Sequence, residues 1–212
     1  MRRVPTLMAI EDLSSLGSLA ERIERWSAAG VNAVQVRDKS ATDRELYESC
    51  VAARSTLPPE IAVLVNRRPD IAVAAGAQGV HLPANGLPTA RVRAAFGDRL
   101  VIGRSTHSLD EVREAEEAGA DYVLFGPVYS TPEKRRYGPP QGLEQLGRAA
   151  RGSIPVLAVG GIDAGRIPEV ACAGASGAAG IRLFRDPAKL AELEARADQI
   201  RGVFAATEAA HA

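Results

Sequence analysis

Residues 99–126 read RLVIGRSTHSLDEVREAEEAGADYVLFG, and the order of the parts within this stretch predicts the fold. A short apolar run (99–103) leads through polar residues into a segment of helical periodicity (108–119), which gives way to a second apolar run (121–125). Ser108, with Glu111 three residues on, reads as a capping box at the helix start. Gly119 reads as its stop. The unit is strand, helix, strand.

Outward from this unit the pattern repeats along the chain. Strand-like runs fall at 4–10, 32–36, 61–65, 78–82, 99–103, 121–125, 155–159 and 176–181. Helical periodicity falls between and after them, near 17–29, 41–56, 69–75, 88–96, 108–119, 141–151, 165–173 and 187–204. Near-continuous apolar strands are required where a sheet is buried on both faces, so the sheet is expected to be parallel. Recurring phrases such as AAGVNAV, AAGAQGV, EAGADYV and CAGASGA each join a helix stop to a strand start. Eight such units in 212 residues predict an α/β fold, a single (β/α)₈ TIM barrel spanning residues 1–212. A doubly wound open sheet is disfavoured, because the first strand leads into IEDLSSLGS rather than a GxGxxG loop. No linker divides the chain, and residues 205–212 are expected to form a frayed tail.

Composition narrows the partners. Basic and acidic residues number 26 each, so no net field draws the protein to nucleic acid or to an anionic membrane. No apolar run has the length of a membrane span or a signal-peptide core, and a cytoplasmic protein is expected. Cys50 and Cys172 sit in Ala-rich helical stretches without metal-ligand or CxxC spacing, and read as small packed residues.

Chemistry in such a barrel belongs to the C-terminal strand ends and the loops after them. The second strand ends in Gln35, Arg37 and Lys39 on one face, a set suited to phosphate or diphosphate; the alternative is a solvated loop in which Asp38 pairs with the two cations. The third ends in Asn66-Arg67-Arg68. After the fifth comes Gly103-Arg104-Ser105-Thr106-His107, where His107 is a candidate acid/base or simply a capping group. His81, within an apolar strand, reads as a packed, hydrogen-bonded histidine. The longest loop, 126–140, holds Tyr129, Thr131, Glu133 and Lys134-Arg135-Arg136, and is either a lid over an anion or a solvated charge run. Gly160-Gly161 and the Gly180-Ile181-Arg182 segment follow the seventh and eighth strands, the usual phosphate position in this fold; tight turns are the alternative. No cluster of His, Asp or Glu has metal-ligand spacing.

The segments VQVRDK, LVNRRPDIAVAAGAQGVHLP, IGRSTHSLDEVREAEEAGADYVLFGPVYSTPEK and IPVLAVGGI, spread over residues 5–185, resemble the thiamine-phosphate synthase/TenI superfamily of TIM barrels. In one branch a synthase joins a pyrimidine diphosphate to a thiazole phosphate, with magnesium held by aspartates; in the other a TenI-type tautomerase isomerises a thiazole carboxylate phosphate without metal. The phrases HLP, GRSTHSL and DYVLFG look more like the TenI branch, so a thiazole tautomerase is the first expectation. The alternatives are a synthase with an atypical metal site and a non-catalytic binder of a phosphorylated ligand. Two departures stand out: the synthase aspartates correspond to Arg67 and Gly86, and the TenI histidine corresponds to Pro127. The resemblance places Ser105, Thr131, Lys134, Gly160, Gly161 and the backbone near Ile181 around a thiazole phosphate, with Arg182 where the family has serine. It matches Gln35, Arg37, Lys39 and Asn66 to the diphosphate side. For proton transfer the candidates are His107, Lys39, Tyr129 and Glu133. No cofactor is expected, magnesium being required only by an active synthase. A homodimer, common in the family, is the expected assembly.

Overall fold

The computed structural model describes residues 4–16, 19–130 and 139–211. Its eight parallel strands close into a barrel in chain order: β1 (Leu7–Glu11), β2 (Ala33–Val36), β3 (Ala62–Asn66), β4 (Gly79–Leu82), β5 (Val101–Thr106), β6 (Tyr122–Phe125), β7 (Val156–Val159) and β8 (Gly177–Gly180). Closure is made by β1 against β8, with Met8 opposite Ala179. The expected TIM barrel is the fold observed.

Around it run α1 (Leu13–Leu16), α2 (Leu19–Ala29), α3 (Asp43–Thr56), α4 (Pro69–Ala74), α5 (Thr89–Phe96), α6 (Leu109–Glu117), α7 (Gly142–Ala149), α8 (Ile167–Cys172), α9 (Arg182–Arg185), α10 (Pro187–Ala195) and α11 (Ala197–His211). The helix read over 187–204 is two helices joined at Arg196, and α11 continues as helical backbone to His211. The short α9 has no counterpart in the sequence reading. Local chemistry sets several boundaries. Thr42 and Glu45 form a reciprocal capping box on α3. At α6, Ser108 accepts from Glu111 N–H, but the Glu111 carboxylate takes the His107 N–H instead of that of Ser108. The expected capping box is therefore half formed.

Burial divides the apolar side chains into two layers. One lies between sheet and helices and includes Trp26, Val34, Val63, Ile102, Phe125 and Phe184. The other fills the barrel: Met8, Ile10, Ala33, Leu64, Val101, Tyr122, Leu124, Leu157 and Ala179. Tyr122 is accommodated only because β5 has no side chain beside it. A Cβ on Gly103 would lie 2.1 Å from Tyr122 Cζ.

β5 starts and ends later than its apolar letters indicate. Arg104, Ser105 and Thr106 pair in register with Val123, Leu124 and Phe125, so Ser105 stands on a strand and not on a loop. The polar letters are satisfied there: Thr106 Oγ1 donates to Leu124 O, and Arg104 donates to the carbonyls of Leu87 and Ala84.

Overpacking at the Gly103–Tyr122 contact gives a direct test. Gly103→Ala is expected to lower unfolding free energy by about 3 kcal/mol, the upper end of the usual overpacking cost. Urea denaturation would measure it, and a loss below about 0.5 kcal/mol, the level of a surface change, would contradict the packing described.

Candidate functional site

Above the apolar filling, the inward positions at the C-terminal strand ends turn polar. Gln35, Asn66 and His81 are at most 9% exposed. Gln35 Nε2 donates to Asn66 Oδ1 at 3.1 Å, which leaves the buried Gln35 Oε1 without a partner among the described residues. Such an acceptor calls for a donor on a ligand. His81 Nε2 lies 2.8 Å from Ser105 Oγ, and Nδ1 lies 3.1 Å from Tyr122 Oη. Burial, reinforced by the charges of Arg37 and Arg104, holds His81 down to about 3, so its ring is neutral. Burial pushes the Tyr122 phenol far above its ordinary value. His81 is the packed, hydrogen-bonded histidine expected, and its partner on one side is a predicted site residue.

Cations rim this layer. Asp38 does not pair with Arg37 or Lys39, as the solvated-loop alternative required. Its carboxylate instead accepts from the Leu13, Ser40 and Ala41 N–H groups and from the Ser40 hydroxyl, shaping the β2–α3 loop. Arg68 is held by Asp43 and Asp70. Among the described residues, Arg37, Lys39 and Arg67 make no ion pair, and Arg67 adopts φ 68°, unusual for a residue with a side chain. The donor set does not suit magnesium, which favours carboxylate oxygens. Among the described residues no three His, Cys, Asp or Glu side chains group to hold a metal.

Across the mouth lie the turns that follow β7 and β8. Gly160 and Gly161 have φ 95° and 69°, and Cβ atoms there would lie 2.6 Å from Pro127 Cβ and 2.7 Å from Tyr129 Cβ. The glycines are thus demanded by the turn and by the close passage of the β6 segment, whatever else their N–H groups do. Ile181 caps α9, and Arg182 is its first residue.

The anchoring of α9 was not anticipated from the sequence. Glu11, fully buried at the end of β1, pairs with Arg22 at 3.0 Å and with Arg185 of α9 at 2.8 Å. Arg185 also holds Asp12 at 2.8 Å. The Ser14 hydroxyl, then Ser15 and Arg185, keep the Asp12 carboxyl well below the usual range. Trp26 Nε1 donates to Phe184 O at 3.2 Å. The available signal was Glu11-Asp12 directly after an apolar strand.

The remaining predicted residues divide. His107 Nδ1 lies 2.5 Å from Gly126 O; a carbonyl only accepts, so Nδ1 carries a proton and donates it there. The Tyr129 hydroxyl donates to Glu169 Oε2 at 2.7 Å, and Arg166 stacks 4.3 Å over its ring. Burial, then Glu169, pushes the Tyr129 phenol up to about 12. Tyr129 is therefore engaged with α8, a poor arrangement for moving a ligand proton. Thr131, Glu133 and Lys134 lie outside the described residues, as does most of the loop read as a lid. The ends of that loop are joined by Gln141 N–H to Pro127 O at 2.8 Å and Gly142 N–H to Val128 O at 3.0 Å. Among the described residues no helix is long and apolar enough to cross a membrane.

Comparison with known proteins gives consistent results. The pattern of the thiamine monophosphate synthase family matches residues 7–184. A putative thiamine-phosphate synthase of Geobacter sulfurreducens is 44% identical over 168 residues, covering 78% of this chain and 79% of that protein. Thiamine-phosphate synthase 1 of Aquifex aeolicus is 40% identical over 186 residues, covering 85% and 86%. The structure of a thiamine phosphate pyrophosphorylase from Pyrococcus furiosus superimposes with a TM-score of 0.76 at 29% identity, covering 95% and 96% of the two chains. These names back the synthase alternative over the tautomerase expected first.

The neutral His81 makes stability depend on pH. Unfolded, the ring takes a proton near its ordinary 6.5; folded, only near 3. Between those values the unfolded chain binds the extra proton, so stability falls as pH falls, by about 1.4 kcal/mol per pH unit from this group alone. Urea denaturation of wild type and His81→Asn from pH 7 to 4.5 is expected to show the steeper fall in wild type, and equal slopes would refute a neutral His81.

Proposed function

This chain belongs to the thiamine monophosphate synthase family, and from that membership we propose that it is a thiamine-phosphate synthase, a transferase joining a pyrimidine diphosphate to a thiazole phosphate with departure of diphosphate. The observation that carries the reading is the two-sided mouth. Arg37, Lys39 and Arg67, with no ion-pair partner among the described residues, follow Gln35 and Asn66 at the ends of β2 and β3 on one side; the Gly160-Gly161 turn and the start of α9 follow β7 and β8 on the other. A reaction of two phosphorylated substrates needs two such regions. A tautomerase needs one, together with a proton carrier, and here Pro127 can carry none while Tyr129 is bonded to Glu169.

On this reading Arg37, Lys39 and Arg67 neutralise the departing diphosphate, a charge that develops fully only as the bond breaks, so their stabilisation acts on the transition state. Ser105, which the resemblance puts beside the thiazole phosphate, is bonded to His81, the register partner of Asn66, and on this reading it and Asn66 bind oxygens on the diphosphate side. Gly160, Gly161 and Ile181 offer backbone N–H groups to the thiazole phosphate, and Arg182 adds a cation; Thr131 and Lys134, which the resemblance assigns to the same ligand, lie outside the described residues. His107, with Nδ1 donating to Gly126, serves the shape of the β5–α6 turn.

The test is synthesis of thiamine phosphate from the two substrates, followed by pyrophosphate release, with magnesium and with a chelator. Product is expected, and Arg37→Met or Lys39→Met is expected to lower kcat/KM by ~100-fold, the usual loss of one electrostatic donor to developing charge. No product under either condition would overturn the assignment, and conversion of a thiazole carboxylate phosphate tautomer in its place would restore the isomerase.

A further inference from the structure

Beneath the mouth, Tyr122, His81 and Ser105 form a line of polar groups through the barrel interior, joined by contacts of 3.1 Å and 2.8 Å. Tyr122 is fully buried and His81 is 1% exposed. We propose that this line is oriented outward, Tyr122 donating to His81 Nδ1 and His81 Nε2–H donating to Ser105 Oγ, so that the Ser105 hydroxyl proton is reserved for an anionic oxygen of the diphosphate group. The proposal rests on the reading of the mouth as a diphosphate site. It makes Tyr122 and His81 positioning residues for Ser105.

Two proton arrangements fit a neutral ring. In the inward one, Ser105 donates to Nε2, Nδ1–H donates to the phenol, and the phenol must donate to the Met8 thioether, 3.8 Å away. A thioether is a weak acceptor, and burial leaves the phenol no water. In the outward one the phenol donates to an imidazole nitrogen at 3.1 Å, and Met8 requires nothing. The phenol proton and both ring nitrogens of His81 are then satisfied. Each bond also polarises the next, strengthening the last donor in the row, Ser105. The cations nearby act in the same sense: Arg37 and Arg104 keep the ring from taking a second proton, which would leave both its nitrogens donating. The glycine at 103 belongs to the same device, since a side chain there would displace the Tyr122 ring.

The chain has three histidines, so nitrogen-15 NMR of the full-length protein, with His81→Asn for assignment, reads the tautomer directly. The proposal expects Nε2 protonated and Nδ1 bare; a proton on Nδ1, or on both, overturns it. Titration with inorganic pyrophosphate supplies the second readout. Tyr122→Phe and Ser105→Ala are each expected to weaken binding ~3- to 10-fold, the range for a typical net hydrogen bond, and the double variant no more than the weaker-binding single. Additive losses, or unchanged affinity in Tyr122→Phe, also overturn the proposal. Neither measurement requires turnover. Absent synthase activity alongside the expected tautomer and coupled binding would overturn the proposed reaction alone, and the reverse pattern would overturn the Tyr122 device alone. Should Tyr122→Phe fail to fold, the wild-type spectrum still decides.

Discussion

Closing short parallel strands into a barrel creates an interior that the strands themselves must fill, and this steric requirement governs the rest of the molecule. Inward positions cannot all be large. Gly79 and Gly103 yield space that Leu64 and Tyr122 occupy, and Gly177 lets the Thr6 backbone pass close to β8. The bulkiest of these side chains, Tyr122, brings a hydroxyl into an otherwise apolar layer. A buried hydroxyl needs a partner, and His81 meets it from the neighbouring layer. The packing solution thus fixes where polar groups begin, and hence how deep a ligand can enter.

From that boundary upward the electrostatics are one-sided. Acidic side chains near the mouth are committed to structure: Asp38 to loop N–H groups, Glu11 and Asp12 to arginines, Asp43 and Asp70 to Arg68. Arg37, Lys39 and Arg67 make no ion pair among the described residues. In a chain of zero net charge this imbalance is local, so it acts on a ligand at the mouth and not on distant partners.

The fold is legible in the sequence because each strand is buried on both faces and so reads as a nearly unbroken apolar run. Legibility fails where tertiary partners replace local pattern. The second half of β5 resembles a loop because Arg104, Ser105 and Thr106 are polar, yet each is bonded by a neighbouring strand or loop. Four residues of α9 are too few to show periodicity, and the helix is anchored by Arg185 to Glu11, 174 residues away. Strand-end position nominated Gln35, Arg37, Asn66 and Ser105, and the structure bonds Gln35 to Asn66 and Ser105 to His81. It also nominated Tyr129, because proximity to the mouth says nothing of the Glu169 that engages its hydroxyl.

That long-range anchor bears on function through rigidity. A helix of four residues has little stability of its own, so its position depends on tertiary tethers. The buried Glu11, bracketed by Arg22 and Arg185, ties α9 to the end of β1, and the Trp26 bond to Phe184 adds a second tether. Removing one arginine would leave a buried carboxylate partly unpaired, the costly way to break such a network. The network therefore serves less as a reserve of stability than as a fixture, holding α9 against the end of β1 and the Trp26 side chain of α2.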